Sequence, residues 1–452
     1  MAELIRIKRG LDIKLMGKAD MNFGKAELAT LFSIRPDDFH GVKPKVVVKE
    51  GDAVKVGTVL FYDKENPEMK FVSPASGTVL AVNRGDRRKV LDIQIQSDGA
   101  FASEPFQKVD PSTLSADKVK EIMLASGFWP FMKQRPYDVV ADPRFAPKAI
   151  FISGFDTAPL APEYDYILEG KGEEFQLGVN ALKKLTTGAV HIGINIENAS
   201  KVYKGTKGVV LHEFEGPHPT GNVGVQINHI DPINKGEIVW CINPQDVVTI
   251  GTAFKKGVYD FSKIVVLCGS RVKKPAYFRT TYFTQLSSIF EGNVNEESGA
   301  VRYISGNVLT GRQIAKDGFL GAYDSQVTVI PEGNQSEFLG WIMPRMKKFS
   351  VNRSYFSWLL GSKKEYDLDT NINGGERAFI MSGEYEKVFP MDILPESLVK
   401  AIIAKDIDKM EQLGIYEVAP EDFALCEFVC TSKIETQRIV REGLDFLRKE
   451  MA

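Results

Sequence analysis

The sequence predicts a multidomain α/β protein, and three observations carry that prediction. The first hundred residues or so are rich in Val, Gly and Lys and show little helical periodicity, which is typical of a β module. From Lys148, apolar strand-like runs alternate with amphipathic helices, the pattern of a parallel, doubly wound sheet. From Glu396 the pattern is helical. We therefore predict four units, at residues 1–105, 106–269, 270–330 and 331–452.

The composition limits the function classes. A chain of 452 residues with 43% hydrophobic content is typical of several globular cores. A net charge of -2 and a pI near 6.3 provide no positive field, so we expect no nucleic-acid partner. No run approaches the roughly 18 apolar residues of a membrane span, and the charged first 15 residues are not a signal peptide. We therefore expect a cytoplasmic chain.

The cysteines and histidines do not predict a metal site. The four cysteines are too few and too scattered for a disulfide framework, and Cys426 and Cys430 alone lie near each other. An iron-sulfur cluster needs closely spaced thiolates, usually four. His212, His218 and His229 share one short region, but no cysteine or carboxylate there has zinc-type spacing. We expect no metal held by this chain.

Two turns carry the fold prediction for the first unit. A Gly-Asp pair at 51–52 precedes one strand-like run, and Ser-Pro-Ala-Ser-Gly at 73–77 precedes another. This arrangement resembles the barrel-sandwich hybrid fold of biotinyl and lipoyl carriers. A carrier places its modified lysine on the hairpin tip between these halves, but the segment with Lys64 and Lys70 is longer than that hairpin and contains a proline. We predict a structural barrel.

The second unit has the alternation of a Rossmann-like domain. Its first helix is predicted at 113–126, with Ser115 as the N-cap and Gly127 after its end. The strands that follow are predicted at 149–153, 189–194, 208–212, 238–242 and 263–267, and the helices between them at 173–185 and from about 243 to 256.

An unusual aromatic segment follows the first helix. It contains Phe128, Trp129, Phe131 and Met132, next to the cations Lys133 and Arg135. Loops are normally solvated, so such a segment either packs into a neighbouring domain or lines an apolar pocket for a flat ligand. The residues leave both alternatives open.

A glycine-rich loop follows the predicted strand at 208–212. It carries Gly216, His218, Gly221 and Gly224, and a loop at a strand end is where α/β domains keep their sites. Its Gly-x4-Gly-x2-Gly spacing is neither the dinucleotide fingerprint nor a P-loop. The loop is therefore a weak candidate for a ligand site, and a rigid turn is the alternative.

The last two units have less distinctive patterns. Short strands and turn signals predict a small α+β module at 270–330, followed by a loop-rich segment to about residue 380. Helices are predicted at 396–413, at 421–430 and from about 433. They form either a docking surface for a partner or a cap on the core of this chain.

Seven separated blocks, in order, resemble one family over nearly the whole chain, the A-subunit family of the bacterial sodium-translocating NADH:quinone reductases. The blocks are IKRGLD (7–12), LFYDKENP (60–67), FVSPASGTV (71–79), GPHP (216–219), ISGNVLTG (304–311), VFPMDILP (388–395) and ALCEFVC (424–430). The chain is also similar, more distantly, to the NADH-binding flavoprotein subunit of respiratory complex I and to the C-subunit of the Rnf complex. The resemblance implies a ubiquitin-like/SLBB fold for the third unit.

The resemblance also implies that redox centres have been lost. The distant relatives carry a glycine-rich flavin loop after the helix that corresponds to 117–126, and a run of cysteines for a 4Fe-4S cluster. Here residues 128–132 contain no glycine, and the cysteines are reduced to Cys426 and Cys430. The implied role is a peripheral subunit of a six-subunit complex on the cytoplasmic side of the bacterial inner membrane, in contact with the quinone-side integral membrane subunit. The complex oxidises NADH, reduces ubiquinone or menaquinone and exports sodium, with NADH, flavins and iron-sulfur centres on other subunits. No catalytic residue and no bound cofactor are expected in this chain, which alone is expected to be inactive.

Family members are associated with quinone binding, and several residues here suit a quinone ring. Phe128, Trp129, Phe131 and Met132 offer apolar walls, with Lys133 or Arg135 as hydrogen-bond donors to a quinone oxygen. Phe39 and His40 form a second candidate, and His218 a third. Two alternatives stay open: a purely structural docking subunit, and a flavoprotein or lipoyl/biotinyl carrier that uses the glycine loop, Lys64 or Lys70.

Overall fold

The computed structural model describes residues 4–197, 200–333, 339–340, 343–361 and 363–451. Its first module consists of short antiparallel strands in the orders β2-β8-β7-β4 and β3-β5-β6, which share one apolar core with Phe61, Val79 and Ile95. The strand bounds are β1 Leu4–Arg6, β2 Leu31–Ile34, β3 Pro44–Val46, β4 Ala53–Val54, β5 Val59–Asp63, β6 Lys70–Val72, β7 Gly77–Arg84 and β8 Val90–Ser97. Lys64 directly follows β5 and Lys70 begins β6, so both lysines flank the loop that joins the two strands.

The second module is built on a mixed sheet in the order β1-β13-β12-β11-β14-β9-β10, parallel from β1 to β14 and antiparallel beyond it. Its elements are α1 Ala116–Ala125, β9 Lys133–Arg135, β10 Val139–Val140, β11 Ala149–Ser153, α2 Tyr164–Ile167, α3 Gly172–Lys184, β12 Val190–Asn195, α4 Lys201–Gly205, β13 Val210–Glu215, α5 Val223–Ile230, β14 Val239–Cys241 and α6 Pro244–Lys256. The Ser115 hydroxyl caps α1 by accepting from the Lys118 amide, as predicted.

Alternate side chains of β11 pack against helices on opposite faces of this sheet. Successive side chains of a strand point to opposite faces. Phe151 packs with Ile227 of α5, whereas Ile150 belongs to the cluster that holds Phe175 of α3 and Val247 of α6. The predicted doubly wound fold is therefore confirmed.

One strand predicted for that sheet belongs elsewhere. The strand at 263–267 is real, but it pairs with β16 and β19 of the third module. That module has the strand order β16-β15-β19-β17-β18, with β15 Ser262–Cys268, β16 Ala276–Thr281, α7 Ser287–Phe290, β17 Val301–Ser305, β18 Arg312–Ile314 and β19 Gln326–Pro331. Apolar periodicity predicts a strand, whereas its partners depend on which chain segments close the core around it.

The last module is helical. Its helices are α8 Tyr385–Val388, α9 Pro395–Ala404, α10 Ile407–Gln412, α11 Ala424–Val429 and α12 Thr436–Glu450. The single helix predicted at 396–413 is broken at Lys405, whose φ of 54° is left-handed, and Asp406 caps α10. Gly443 lets α12 lie close to α9, since a Cβ there would lie 2.6 Å from Ile402. Most apolar side chains of these helices, such as Leu398, Met410 and Leu444, are buried within this chain, whereas Ile403 of α9 is exposed.

Candidate functional site

A cleft opens at the place in the parallel sheet where the order of the strands reverses. The chain runs from β11 through β12 to β13 on one side, whereas β14 lies on the other side of β11. Such a switch point leaves a crevice outside the carboxyl ends of the strands. A cavity of about 230 Å³ lies there. Its lining includes Phe131, Lys133, Arg135, Asp138, Ser153, Phe155, Asp156, Tyr164, His218, Gly221, Asn243, Leu309, Tyr323 and Glu421.

The glycine loop forms one wall of this cleft. It leaves the carboxyl end of β13, and His218 and Gly221 line the cavity. The Gly221 amide donates to Thr157 Oγ1 over 2.9 Å, and a Cβ at Gly221 would lie 2.6 Å from the Thr157 nitrogen. Gly216 has a φ of 151° and lies against the Ile7 carbonyl. Gly216 and Gly221 thus allow the loop backbone to pack closely against neighbouring segments, and these contacts hold the loop in one conformation.

His218 is a buried, neutral side chain. Its Nδ1 lies 3.1 Å from Thr157 Oγ1, and its backbone amide donates to Asp12 over 3.0 Å. Burial lowers the pKa of His218 to about 4, although Asp12 opposes that shift. At neutral pH the ring therefore presents a hydrogen-bonding but uncharged group to the cleft.

The aromatic segment lies mainly inside the protein. Residues Trp129–Phe131 form a short 3-10 turn, and Phe128, Trp129, Phe131 and Met132 are at most 3% exposed. The Trp129 indole donates to the Ala141 carbonyl over 2.7 Å and meets Trp240 edge to face at 5.2 Å. Phe131 stacks on Tyr282 and also reaches the cleft. The structure gives Phe128, Trp129 and Met132 no place in the cleft lining.

Lys133 and Arg135 reach the cleft from β9 as paired charges. Arg135 donates to Asp422 over 2.7 Å and to Glu421 over 2.6 Å, and Lys133 lies 2.8 Å from Asp138. Burial opposes both positive charges, but these carboxylates raise the pKa of Lys133 and that of Arg135. Burial likewise opposes the charge of Asp138, yet Lys133 holds its pKa below the usual range.

The pair between Arg135 and Asp422 joins two modules. Arg135 is on the sheet and Asp422 precedes α11, and the two side chains are 2% and 1% exposed. Gly224 of α5 permits this contact, because a Cβ there would lie 2.5 Å from Arg135 Nη1 and 2.6 Å from Asp422. The two residues therefore fasten the helical module to the cleft.

Phe39 and His40 lie away from the cleft. Phe39 is 3% exposed, meets the Phe71 ring of the first module at 4.8 Å and lies 6.1 Å from the Tyr323 ring of the third module. His40 Nε2 lies 2.7 Å from Asp445 of α12. Both residues join modules of this chain, and neither is among the residues that line the cavity.

Several residues of the cleft have no counterpart in the sequence predictions. Phe155 and Asp156 come two and three residues after the end of β11, so the position of the predicted strand at 149–153 was a usable signal for them. Burial raises the pKa of Asp156, although amide hydrogen bonds from Ala158 and Thr157 oppose the shift. Tyr323 comes from the third module, and no local pattern indicates its place.

Two further features bear on cofactors and membranes. The described residues hold no group of three or more His, Cys, Asp or Glu side chains arranged to bind a metal ion. Cys426 and Cys430 are buried, and the Tyr385 hydroxyl donates to Cys430 Sγ over 3.0 Å.

Among the helices built from the described residues, none has the length and apolar character needed to cross a bilayer.

Comparison with known proteins relates the modules to one family. The model of the NqrA N-terminal barrel-sandwich hybrid domain matches residues 5–98, that of the NqrA second alpha/beta domain matches 114–259, and that of the NQRA C-terminal domain, named for its SLBB fold, matches 264–316. The A-subunit of the Na(+)-translocating NADH-quinone reductase of Haemophilus influenzae is 38% identical over 458 residues, which cover 99% of this chain and 100% of the relative. The chain belongs to this family.

Other members of the family match equally well along their length. The corresponding A-subunits of Pasteurella multocida and Rhodopirellula baltica are each 37% identical over 450 residues, covering 99% and 98% of this chain and 100% and 98% of the relatives. The family assignment from the seven sequence blocks and the predicted fold class are therefore confirmed. The chain is a subunit of an oxidoreductase complex, as the names of its relatives state. A chain of an NAD+-reducing [NiFe]-hydrogenase shows 13% identity and a TM-score of 0.35 over 78% of this chain and 68% of its own, too little to support an argument.

Proposed function

We propose that the chain is the quinone-associated, non-redox subunit of the sodium-translocating NADH:quinone reductase, and that the cleft at the switch point holds the quinone ring. The observation that carries this proposal is the cleft itself, a ring-sized cavity with aromatic walls and paired charges. NADH, flavins and iron-sulfur centres belong to other subunits of the complex. The chain sits on its cytoplasmic side, against the quinone-side integral membrane subunit.

The size of the cavity favours a single ring. A cavity of roughly 150 Å³ is enough to hold benzene, and pockets for drug-sized ligands have about 300 to 1,000 Å³. The cavity here, at about 230 Å³, lies between these limits. A substituted quinone head fits this volume, whereas a flavin nucleotide with its ribityl phosphate needs more space.

The charges in the cleft favour a neutral ligand. Among the described lining residues, Lys133 and Arg135 are each bound to a carboxylate at 2.6 to 2.8 Å, so neither offers an uncompensated charge to a phosphate. Quinones are uncharged, flat and weakly polar. Phe131, Phe155 and Tyr323 supply aromatic surface for such a ring.

Asp156 supplies the protonatable group of the proposed site. It lines the cavity, and burial raises its pKa, so its carboxyl takes up a proton at a less acidic pH than a free aspartate does. A protonated carboxyl donates a hydrogen bond to a quinone oxygen. In its protonated form Asp156 orients the ring through this hydrogen bond and stabilises the oxygen as its negative charge grows on reduction.

A purely structural docking role is the second candidate. It is favoured by Arg135, which joins two modules, and by Trp129, which is buried in the core of the second module. The polar groups of both residues bind other groups of this chain. In that case the cleft would be a gap between modules without a ligand.

Replacing Phe155 by alanine should weaken the binding of a soluble short-chain quinone by about 1 to 3 kcal/mol. Phe155 lines the cleft and is half-buried, so one side of its ring can contact a ligand while the other packs against the core near Phe214. Isothermal titration calorimetry of the full chain with the quinone measures this difference.

The matched control is Phe145→Ala, the same change at a side chain that is 52% exposed and does not line the cavity. It should leave quinone affinity unchanged. Absence of saturable quinone binding to the unmodified chain, or equal loss in both variants, would leave the docking role as the function.

The thermal unfolding midpoint should be the same with and without FMN or NADH. The paired cations and small cavity leave no place for a nucleotide phosphate, so neither compound should stabilise the folded chain. Calorimetric scans at increasing ligand concentration test this expectation. An upward shift of several degrees with FMN would support a flavoprotein instead.

A further inference from the structure

One segment of the fourth unit exposes a compact apolar patch. Phe356, Trp358, Leu359 and Leu360 are 54%, 46%, 61% and 45% exposed and lie in one short 3-10 turn, Phe356–Leu360, which we call the apolar turn. At about 2.0 Å per residue such a turn spans roughly 10 Å, so the four side chains share one patch. Contiguous exposed apolar groups of this kind mark interaction sites.

Positive charge flanks the apolar turn. Between residues 343 and 364 the chain has six lysines and arginines and no aspartate or glutamate, although its net charge is -2. These cations are Arg345, Lys347, Lys348, Arg353, Lys363 and Lys364. Lys347, Arg353 and Lys363 are exposed, and the Arg353 guanidinium lies 5.4 Å from the Trp358 ring. Apolar and basic groups thus occupy the same stretch of surface.

The base of the apolar turn is anchored to the body of the protein. The Tyr366 amide donates to the Lys14 carbonyl over 2.8 Å, and the Met16 amide donates to the Tyr366 carbonyl over 3.0 Å. The Tyr366 hydroxyl donates to the Ser357 carbonyl within the turn. The patch is therefore presented outward on a fixed support, while Ser357 at its centre is buried.

We propose that the basic apolar segment, residues 343–361 with 363–364, docks on the surface of an anionic phospholipid bilayer. Tryptophan, phenylalanine and leucine enter the interfacial region of a bilayer, and lysine and arginine bind its anionic headgroups. The exposed cations Lys347, Arg353 and Lys363 complement a negatively charged surface, whereas an apolar protein groove would not require them. The inference rests on the proposed place of the chain in a membrane complex and names the part that touches lipid.

The test measures co-sedimentation of the full chain with vesicles of phosphatidylethanolamine and phosphatidylglycerol, and with vesicles of phosphatidylcholine alone. We expect binding to the anionic vesicles that weakens as salt increases, and little binding to the neutral ones. Lys347→Gln combined with Lys363→Gln should weaken binding roughly 25-fold, at about fivefold for each charge. Trp358→Ser combined with Leu359→Ser should weaken it by about tenfold or more.

The matched control removes two exposed cations from another module, Lys204→Gln with Lys207→Gln, and should retain binding within about twofold. Unfolding midpoints confirm that each variant is folded. Absence of binding to anionic vesicles, equal binding to both vesicle types, or an equal loss in the control would overturn the proposal. A dimer of the free chain that the Trp358 and Leu359 changes abolish would overturn it in favour of a second copy. If vesicle binding fails while quinone still binds in the cleft, the proposed function stands and this surface faces protein.

Discussion

Replacing Trp129 by alanine should destabilise the folded chain by about 3 to 5 kcal/mol. The side chain is fully buried, meets Trp240 edge to face and donates its indole hydrogen bond to the Ala141 carbonyl. Truncation leaves a large cavity and an unpaired buried carbonyl, and both raise the free energy of the folded state. Urea unfolding followed by far-ultraviolet circular dichroism measures the loss.

The same change at Trp358, which is 46% exposed, is the matched control and should cost less than about 1 kcal/mol. Because Trp129 does not line the cleft, the folded fraction of the Trp129→Ala variant should bind quinone as the unmodified chain does. A Trp129 variant as stable as the Trp358 variant would show that the aromatic segment is not part of the core.

Replacing Arg135 by methionine should destabilise the chain by a comparable amount, about 3 to 5 kcal/mol. The change removes one partner of a buried ion pair and leaves Asp422, which is 1% exposed, as an uncompensated charge. It also releases Glu421, whose carboxylate lies 2.6 Å from Arg135. Unfolding in urea, monitored separately for the sheet and the helical module, should show the helical module detaching first.

A second substitution tests the cause. Adding Asp422→Leu to Arg135→Met should recover part of the lost stability, since no buried carboxylate then remains at that position. The surface pair formed by Arg6 and Glu215, at 69% and 48% side-chain exposure, provides the control, and Arg6→Met should cost less than about 1 kcal/mol. A loss at Arg135 no larger than at Arg6 would contradict a fastening role.

Local chemistry made several predictions accurate. Ser115 is an N-cap because its hydroxyl satisfies an amide three residues later, and that requires nothing beyond the neighbouring sequence. The strand at 149–153 was predicted with its observed bounds, since five apolar or small residues in a row are bounded by polar and turn-forming ones. The rule that sites lie at the ends of parallel strands placed the glycine loop at the cleft.

Long-range contacts account for the differences. The strand at 263–267 looks like another strand of the doubly wound sheet, but its partners β16 and β19 come later in the chain. β1 pairs with β13 across more than two hundred residues, and no local pattern predicts such an edge strand. The predicted helix at 396–413 breaks at Lys405, where packing compensates a left-handed backbone that the sequence disfavours.

The sequence by itself determined the family, the order of the modules and the type of the main strands and helices from residue 113 to 267, because caps, turns and apolar periodicity act between neighbouring residues. The tertiary structure decided what each candidate side chain does. Lys133 and Arg135 looked like donors for a ligand, but their charges are neutralised by carboxylates, one of which lies 287 residues away in the chain. Trp129 was a candidate for contacting a quinone ring, but its side chain is part of the core. Asp156 and Tyr323 line the cleft, although the sequence analysis did not predict them. Burial and charge pairing depend on which distant segments meet, and only the folded chain brings them together.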